Sequence, residues 1–271
     1  MSVINTNVSA LYSQNAMKVN SRAMSTAMEQ LSTGSRVNSA KDDAAGLAIG
    51  QNMTAQIRGL NQAVRNANDG VNMMQTAEGA MVEQSNMLQR MRELAVQASN
   101  GTYSTTQRSY LNTEFSALTT QIGSIASQTT WNGTALISGA STSFSFQVGQ
   151  NSGQTIAVTV SAMTTAHLGV SALAVSTAAS ASSSITLIDS ALDIINNQRA
   201  VIGAGINRLT YAADNITNVS ANVTASRSSI MDTDYAQAST QLSKTQIIQQ
   251  ASTAMLAQAN QQPQSVLALL K

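Results

Sequence analysis

Apolar residues recur at alternating steps of four and three through a long stretch of the chain: Met53, Ile57, Leu60, Val64, Ala67, Val71, Met74, Met81 and Leu88, with Glu78 and Ser85 occupying two of the places. Sustained 4–3 alternation is the pattern of a coiled-coil helix, because a 3.5-residue period keeps one seam facing a partner. The spacing predicts a helix from about Asp43 to Ser99, stopped by Asn100-Gly101, where glycine suits a left-handed C-terminal cap. Ser104 with Gln107 reads as a capping box opening a second helix, which carries Leu111, Phe115, Leu118, Ile122 and Ile125 and ends before the turn signal Trp131-Asn132-Gly133. The spacing returns at Ile188, Leu192, Ile195, Arg199, Ile202, Ile206, Leu209, Ala213 and Ile216, giving a third long helix from about Ser184 to Thr224. Gly203 and Gly205 sit inside it, each costing up to about 1 kcal/mol against alanine. Close approach of a neighbouring helix is the expected compensation.

Between the second and third helices the period changes to two. Phe144, Phe146 and Val148 alternate with polar residues, Gly149-Gln150-Asn151-Ser152-Gly153 turns, and Ile156, Val158 and Val160 alternate again: a β-hairpin. Residues 162–183 are rich in Ala, Ser and Thr and read as loop with some short strand. The two ends resemble each other. Residues 3–32 carry Ile4, Val8, Leu11, Val19, Ala23, Ala27 and Leu31; residues 232–262 carry Leu242, Ile247, Ala251, Ala254 and Met255. Such thin stripes of largely small side chains bury little area, so neither helix should hold alone in water. Each needs a partner. Beyond Pro263 come Val266, Leu267, Leu269 and Leu270, an apolar tip that a finished assembly should cover.

Composition narrows the chemistry. Charged residues are 10% of the 271, well below the roughly 25% of an ordinary soluble domain, and 14 Lys plus Arg balance 13 Asp plus Glu. Binding to nucleic acid or to an anionic membrane surface calls for a basic excess, so neither is expected. Zero cysteine removes disulfides, thiol nucleophiles and thiolate metal sites, and the single histidine, His167, excludes an HExxH zinc site. No catalytic residue, cofactor site or metal site is expected, and the chain reads as a non-enzyme. Asp42-Asp43 should flank the start of the long helix rather than bind metal, the methionines of its seam should be core filler, His167 a solvated loop residue, and Trp131 a plug at the foot of a helix. No basic-plus-apolar leader opens the sequence, and no stretch reaches the 18 apolar residues of a membrane span, so no membrane insertion is expected.

Length then sets an expected shape. A helix of about 57 residues is about 85 Å long, against a radius of gyration of about 18 Å for a compact chain of this size. The reading is therefore mainly α: an elongated coiled-coil rod of long helices with a small β-hairpin region, whose terminal helices pair. Sticky, marginal ends suit a subunit whose copies bury each other's stripes, since contacts that do not close on themselves generate filaments. A chain with no cysteine and one proline also suits passage unfolded through an export channel.

Several runs of residues carry a family resemblance. Ile4-Asn5-Thr6-Asn7-Val8-Ser9-Ala10, LSTGSRVNSAKDDAAGLAI over 31–49, QRMRELAVQ over 89–97, SSIMDTDYAQASTQLSKTQIIQQ over 228–250 and the closing ASTAMLAQANQQPQSVLALL resemble bacterial flagellin. The resemblance covers roughly residues 1–137 and 185–271. It implies an extracellular flagellar filament subunit for motility, a helical homopolymer of this chain exported by the flagellar type III route without a cleavable signal peptide. It implies the domain order 1–32 N-terminal assembly helix of an inner tube, 33–43 linker, 44–184 rod helices with the short hairpin region, 185–226 C-terminal rod helix, and 227–271 linker with the C-terminal assembly helix. Assembly residues would include Ile4, Val8, Leu11, Val19, Leu31, Leu242, Ile247, Ala251, Met255, Leu267 and Leu270. The rod core would hold Ile57, Leu60, Val64, Val71, Leu88, Phe115, Leu118, Ile122, Ile195, Ile202 and Leu209.

The partners that the resemblance implies are other copies of the chain, an export chaperone at the C-terminal segment, the filament cap and hook-junction proteins, and host innate receptors. For the receptors it points to Gln89, Arg90, Arg92, Glu93, Leu94, Gln97 and Glu114, with Arg90 and Leu94 four apart as an exposed pair. The competing reading of Arg90 and Glu114 is a simple bridge between helices or subunits. Only about 45 residues separate the two matching regions, so the large outer domains of longer relatives are absent. Two alternatives to the main filament subunit remain at this point: a hook–filament junction protein, and a filament subunit with a glycan-binding or adhesive surface. A protease-bearing flagellin would need HExxH and a larger insert.

Overall fold

The computed structural model describes residues 6–269, with side-chain surroundings described for residues 6–261. The elements run α1 (Val8–Thr33), α2 (Ala44–Ser99), α3 (Thr105–Gln128), β1 (Thr130–Trp131), β2 (Thr134–Ala135), β3 (Thr142–Gln147), β4 (Thr155–Val160), α4 (Ala178–Met231) and α5 (Tyr235–Leu269). The chain is mainly α. Two compact units divide it: one holds the chain ends up to Ile57 and from Ala221 onward, the other Arg58–Ser220. That division cuts through α2 and α4 rather than falling in a linker.

In the Arg58–Ser220 unit, α2, α3, α4 and the β3–β4 hairpin share one core, including Met74, Met81, Leu88, Met91, Phe115, Ile122, Ile188, Ile195 and Ile202. Its methionines fill the irregular space between elements that are not all helices. α3 opens on the expected capping box, Ser104 Oγ accepting from the Gln107 amide and Gln107 Oε1 from the Ser104 amide. Asn132 and Gly133 both take positive φ, 46° and 78°, the turn geometry that lets β1 fold back on β2. Trp131 lies in β1, half-buried against the core.

β3 and β4 pair antiparallel with Phe144 opposite Val158 and Phe146 opposite Ile156, which puts the apolar alternate residues of both strands on one face. Two glycines receive that face. A Cβ at Gly205 would meet Val158 Cγ2 at 2.8 Å, and one at Gly70 would meet Phe146 Cδ1 at 2.9 Å. Gly205 is thus explained by a strand rather than by the neighbouring helix expected from sequence, while Gly203 faces open space. Two buried amides anchor the polypeptide around the hairpin: Gln84 donates to the carbonyls of Ile122 and Met163, and Gln198 to that of Thr159.

The long seams differ from their expected positions in a consistent way. On α2 the column Leu60, Ala67, Met74, Met81, Leu88 is buried. The companion positions Ile57, Val64 and Val71 are only half-buried, and Ala63, Gly70, Ala77, Gln84 and Met91 are deeper. α4 behaves alike: Ile188, Ile195, Ile202 and Leu209 are buried, but Ala191, Gln198 and Gly205 lie deeper than Leu192, Arg199 and Ile206. Several elements pack on each helix, so the buried stripe is wider than a two-helix seam. Glu78 and Arg199, the charged intrusions in the two patterns, face each other at 3.6 Å.

The segment before α4 also departs from expectation. Met163, Leu168, Val170 and Val175 are buried in the core, so this Ala/Ser/Thr-rich stretch is packed rather than open loop, and no strand forms in it among the described residues. α4 starts six residues before Ser184, where Thr177 Oγ1 accepts from the Ser180 amide, and its small residues Ala181 and Ser184 carry the buried stripe upstream. It continues to Met231, taking in residues expected in a linker.

In the unit made from the chain ends, Asn7 caps α1 through the Ala10 amide, and Asp43 caps α2 through the Gly46 amide. Asp42 accepts from the amides of Asn38 and Ser39 and from the Ser39 hydroxyl, the last of these contacts being the main reason its carboxyl is held below the usual range. The strand-like linkers pair: Ser35 bridges Asp232, the Arg36 amide donates to Met231 at 2.7 Å and Thr233 to Gly34 at 3.0 Å. Gly34 takes φ 71° beneath the Tyr235 ring, a left-handed cap that a side chain would strain. α5 continues through Pro263 to Leu269, where a separate tip was expected.

Candidate functional site

The terminal helices pack on each other along a seam that hydropathy alone does not reveal. On α1 the inward positions are Ala10, Ser13, Met17, Asn20, Met24, Ala27 and Leu31; on α5 they are Ala238, Leu242, Thr245, Gln249, Ser252, Leu256 and Ala259. Both series step by three and four without a break. Asn7 Nδ2 donates to the Ala259 carbonyl at 2.8 Å, while the buried Asn20 Nδ2 donates to the Thr245 carbonyl at 2.8 Å and to Gln249 Oε1 at 3.3 Å. Partner numbers fall along α5 as they rise along α1, so the helices are antiparallel. A buried asparagine in such a seam favours the one register that satisfies it, at a cost in stability.

Met17, Met24, Leu31, Leu242 and Leu256 share the seam with alanines and polar residues, and the other large apolar side chains of both helices point elsewhere. Val8, Leu11, Tyr12 and Val19 form an exposed strip on α1, where Leu11 is 63% exposed. Val8, Leu11, Tyr12, Gln14, Asn15 and Lys18 enclose a shallow depression of about 390 Å³ there. On α5, Ile247 is 66% and Met255 64% exposed, with Ile248 and Ala251 beside them. The residues expected to serve assembly therefore divide. Leu31 and Leu242 are half-buried in the intrachain seam, whereas Val8, Leu11, Val19, Ile247, Ala251 and Met255 are outward. Ile4, Leu267 and Leu270, with Val266 and Leu269, lie outside the residues whose side chains are described.

Two outward apolar strips on a pair of helices held by alanines and amides make a surface that water disfavours and a partner can bury. Asn7, Asn20, Thr245 and Gln249 were missed from sequence. The available signal was the 3–4 spacing itself, carried by small and polar residues between the large ones.

A second candidate surface lies on α2 and α3, in the Arg58–Ser220 unit. Arg90 donates to Glu114 at 2.9 Å and to Glu93 at 3.0 Å, and Arg92 to Asp189 of α4 at 2.7 Å. Hydrogen bonds donated to these carboxylates, Glu114 first for Arg90, raise both guanidinium pKa values, and the Arg92 bond holds the Asp189 carboxyl below its usual value. Gln97 donates to the Tyr103 hydroxyl at 2.9 Å. Gln89, Arg92, Glu93, Val96 and Gln97 line an open depression of about 540 Å³. The expected exposed pair of Arg90 and Leu94 does not exist. Leu94 is 1% exposed, because the buried stripe of α2 widens here to take in Met91, Leu94, Ala95 and Ala98. Arg90 and Glu114 are the interhelical bridge of the competing reading, and they remain at the surface.

Of the rod positions, Leu60, Leu88, Phe115, Ile122, Ile195, Ile202 and Leu209 are buried, and Ile57, Val64, Val71 and Leu118 half-buried. His167 is exposed in a turn. Among the described residues no group of three or more His, Cys, Asp or Glu is placed to hold a metal, and no helix is long and apolar enough to cross a membrane.

The bacterial flagellin N-terminal helical region matches residues 4–142, and the bacterial flagellin C-terminal helical region matches 185–270. A flagellin of Halalkalibacterium halodurans is 43% identical over 99% of this chain and 100% of its own length. The flagellar filament 33 kDa core protein of Treponema phagedenis is 40% identical over 99% and 100%. A solved flagellar hook-associated protein from Vibrio parahaemolyticus shares the fold at a TM-score of 0.61, with 18% identity over 70% of this chain and all of that one. With both family regions matched in order and relatives aligned from end to end, the chain belongs to the bacterial flagellin family.

Proposed function

We propose that this chain is the structural subunit of a bacterial flagellar filament, and that the outward strips of α1 and α5 are surfaces it buries against other copies. The observation that carries the reading is the exposure of Leu11 and Ile247 on helices whose own seam leaves them outside. Full-length similarity to flagellins, including one described as a filament core protein, supports the polymer as the destination of those strips. The role is mechanical: a helical propeller outside the cell, with no chemistry asked of any side chain. Export without a cleaved leader, a chaperone on the C-terminal segment, and contacts with cap and hook-junction proteins accompany this reading on the strength of the family alone. So does host receptor binding, for which Gln89, Arg90, Arg92, Glu93, Gln97 and Glu114 offer an exposed polar surface.

The direct test is seeded polymerisation followed by electron microscopy. Leu11→Asp and Ile247→Asp each place a charge on an outward strip, and each should cut filament yield at least about tenfold while helix content stays unchanged, because a buried unpaired carboxylate is strongly disfavoured. Filament growth at the unsubstituted level in both variants overturns the assignment of these strips.

A further inference from the structure

We propose that Met255 is a reversible oxidation site at which peroxide-class oxidants hold the free subunit out of the polymer; this rests on the filament-subunit reading. The chain has no cysteine and 13 methionines, so its oxidisable sulfur is all thioether. The structure sorts those thioethers by access. Met73, Met74, Met81, Met91 and Met163 are buried in the core of the Arg58–Ser220 unit. Met255 stands exposed beside Ile248 and Ala251, on the flank of α5 that borders the Thr245–Gln249–Ser252 seam. Met28 is also exposed, but at about 100° per residue it lies on the opposite side of α1 from Val8, Tyr12 and Val19. Its oxidation leaves the outward strip unchanged, which makes it an internal control.

The chemistry is a single oxygen transfer. The Met255 sulfur attacks one oxygen of hydrogen peroxide; the S–O bond forms as the O–O bond breaks, sulfur loses two electrons, and the second oxygen leaves as water with both protons. The product carries a strongly accepting oxygen where the strip had an apolar thioether. Ile248 and Ala251 beside it carry no donor, so burying the sulfoxide there costs more than burying the thioether. A sulfoxide reductase supplied with a dithiol reverses the change, yielding the thioether, a disulfide and water.

The experiment treats the full-length free chain with hydrogen peroxide, maps oxidation by peptide mass spectrometry, and measures elongation on sheared untreated filaments. Met255 and Met28 should gain oxygen before the five buried methionines, with circular dichroism unchanged, and elongation should slow at least about fivefold. Met255→Leu should elongate at the same rate before and after the treatment, whatever that rate is, Met28→Leu should remain sensitive, and sulfoxide reductase should restore the oxidised chain. Untreated Met255→Gln, a polar mimic, should elongate as slowly as oxidised protein. Full-rate elongation of chain oxidised at Met255, equal sensitivity of Met255→Leu, or normal elongation of Met255→Gln overturns the proposal. Failure of the untreated, unsubstituted chain to elongate seeds would instead remove the filament-subunit reading.

Discussion

Arg92 and Asp189 join α2 to α4 at 2.7 Å, and the bond holds the Asp189 carboxyl below its ordinary value of 3.8. A carboxylate with a depressed folded value contributes stability in full above the unfolded value and loses it as pH falls through the folded one. Both groups are about half exposed, so solvent screens the pair and its share is modest. Asp189→Asn should therefore lower the thermal midpoint slightly at neutral pH and converge with the unsubstituted chain as the pH falls below 3.8 and through the lowered folded value, measured by calorimetry across that range. Convergence absent at acid pH would mean that the loss at neutral pH comes from packing. Single residues were the least legible level of the sequence. The family pattern placed Arg90, Glu114 and Leu94 together, but it could not distinguish the two charged groups, which bridge helices at the surface, from the leucine, which the widened stripe of α2 buries.

Helices and the hairpin were legible because their signals are local. The capping box at Ser104 and the glycine-rich turn after Val148 are sequence features that act within a few residues. Depth within a helix was less legible, since it depends on what packs from outside. Val64 and Val71 continue the 4–3 pattern yet are half-buried, because the hairpin packs at Asn66 and Gly70 and widens the face that α2 must cover. Gly203 and Gly205 make the point with identical residues two apart. Alanine at Gly203 meets no atom within 4 Å and should stabilise the unit by about 0.5–1 kcal/mol through helix propensity. Alanine at Gly205 meets Val158 at 2.8 Å and should destabilise it by about 1–3 kcal/mol. Urea unfolding of the two variants checks both signs, and equal effects would remove the hairpin from the account of Gly205.

Across the whole chain, length and the absence of cysteine, together with the resemblance of both ends to flagellin, pointed to an assembling subunit, and full-length similarity to flagellins agrees. The terminal seam stayed hidden for a physical reason: hydropathy marks where large side chains sit, and here they are divided between the seam and the outward faces. Alanines and polar residues separate the few large side chains at the inward positions, and these are only half-buried, so the α1–α5 pair is a poor structure to form alone in water. That weakness has a kinetic consequence. Two free subunits meeting in solution present each other with surfaces that exist only while their own helices happen to be paired, so the first contact must be ordered from both sides at once. An existing filament end presents one side already set. Spontaneous polymerisation should accordingly show a long lag that added seeds abolish, and light scattering would register its absence as equal onset with and without seeds. A subunit built this way starts few polymers and lengthens those it finds, so the place of growth is decided by where an end already stands.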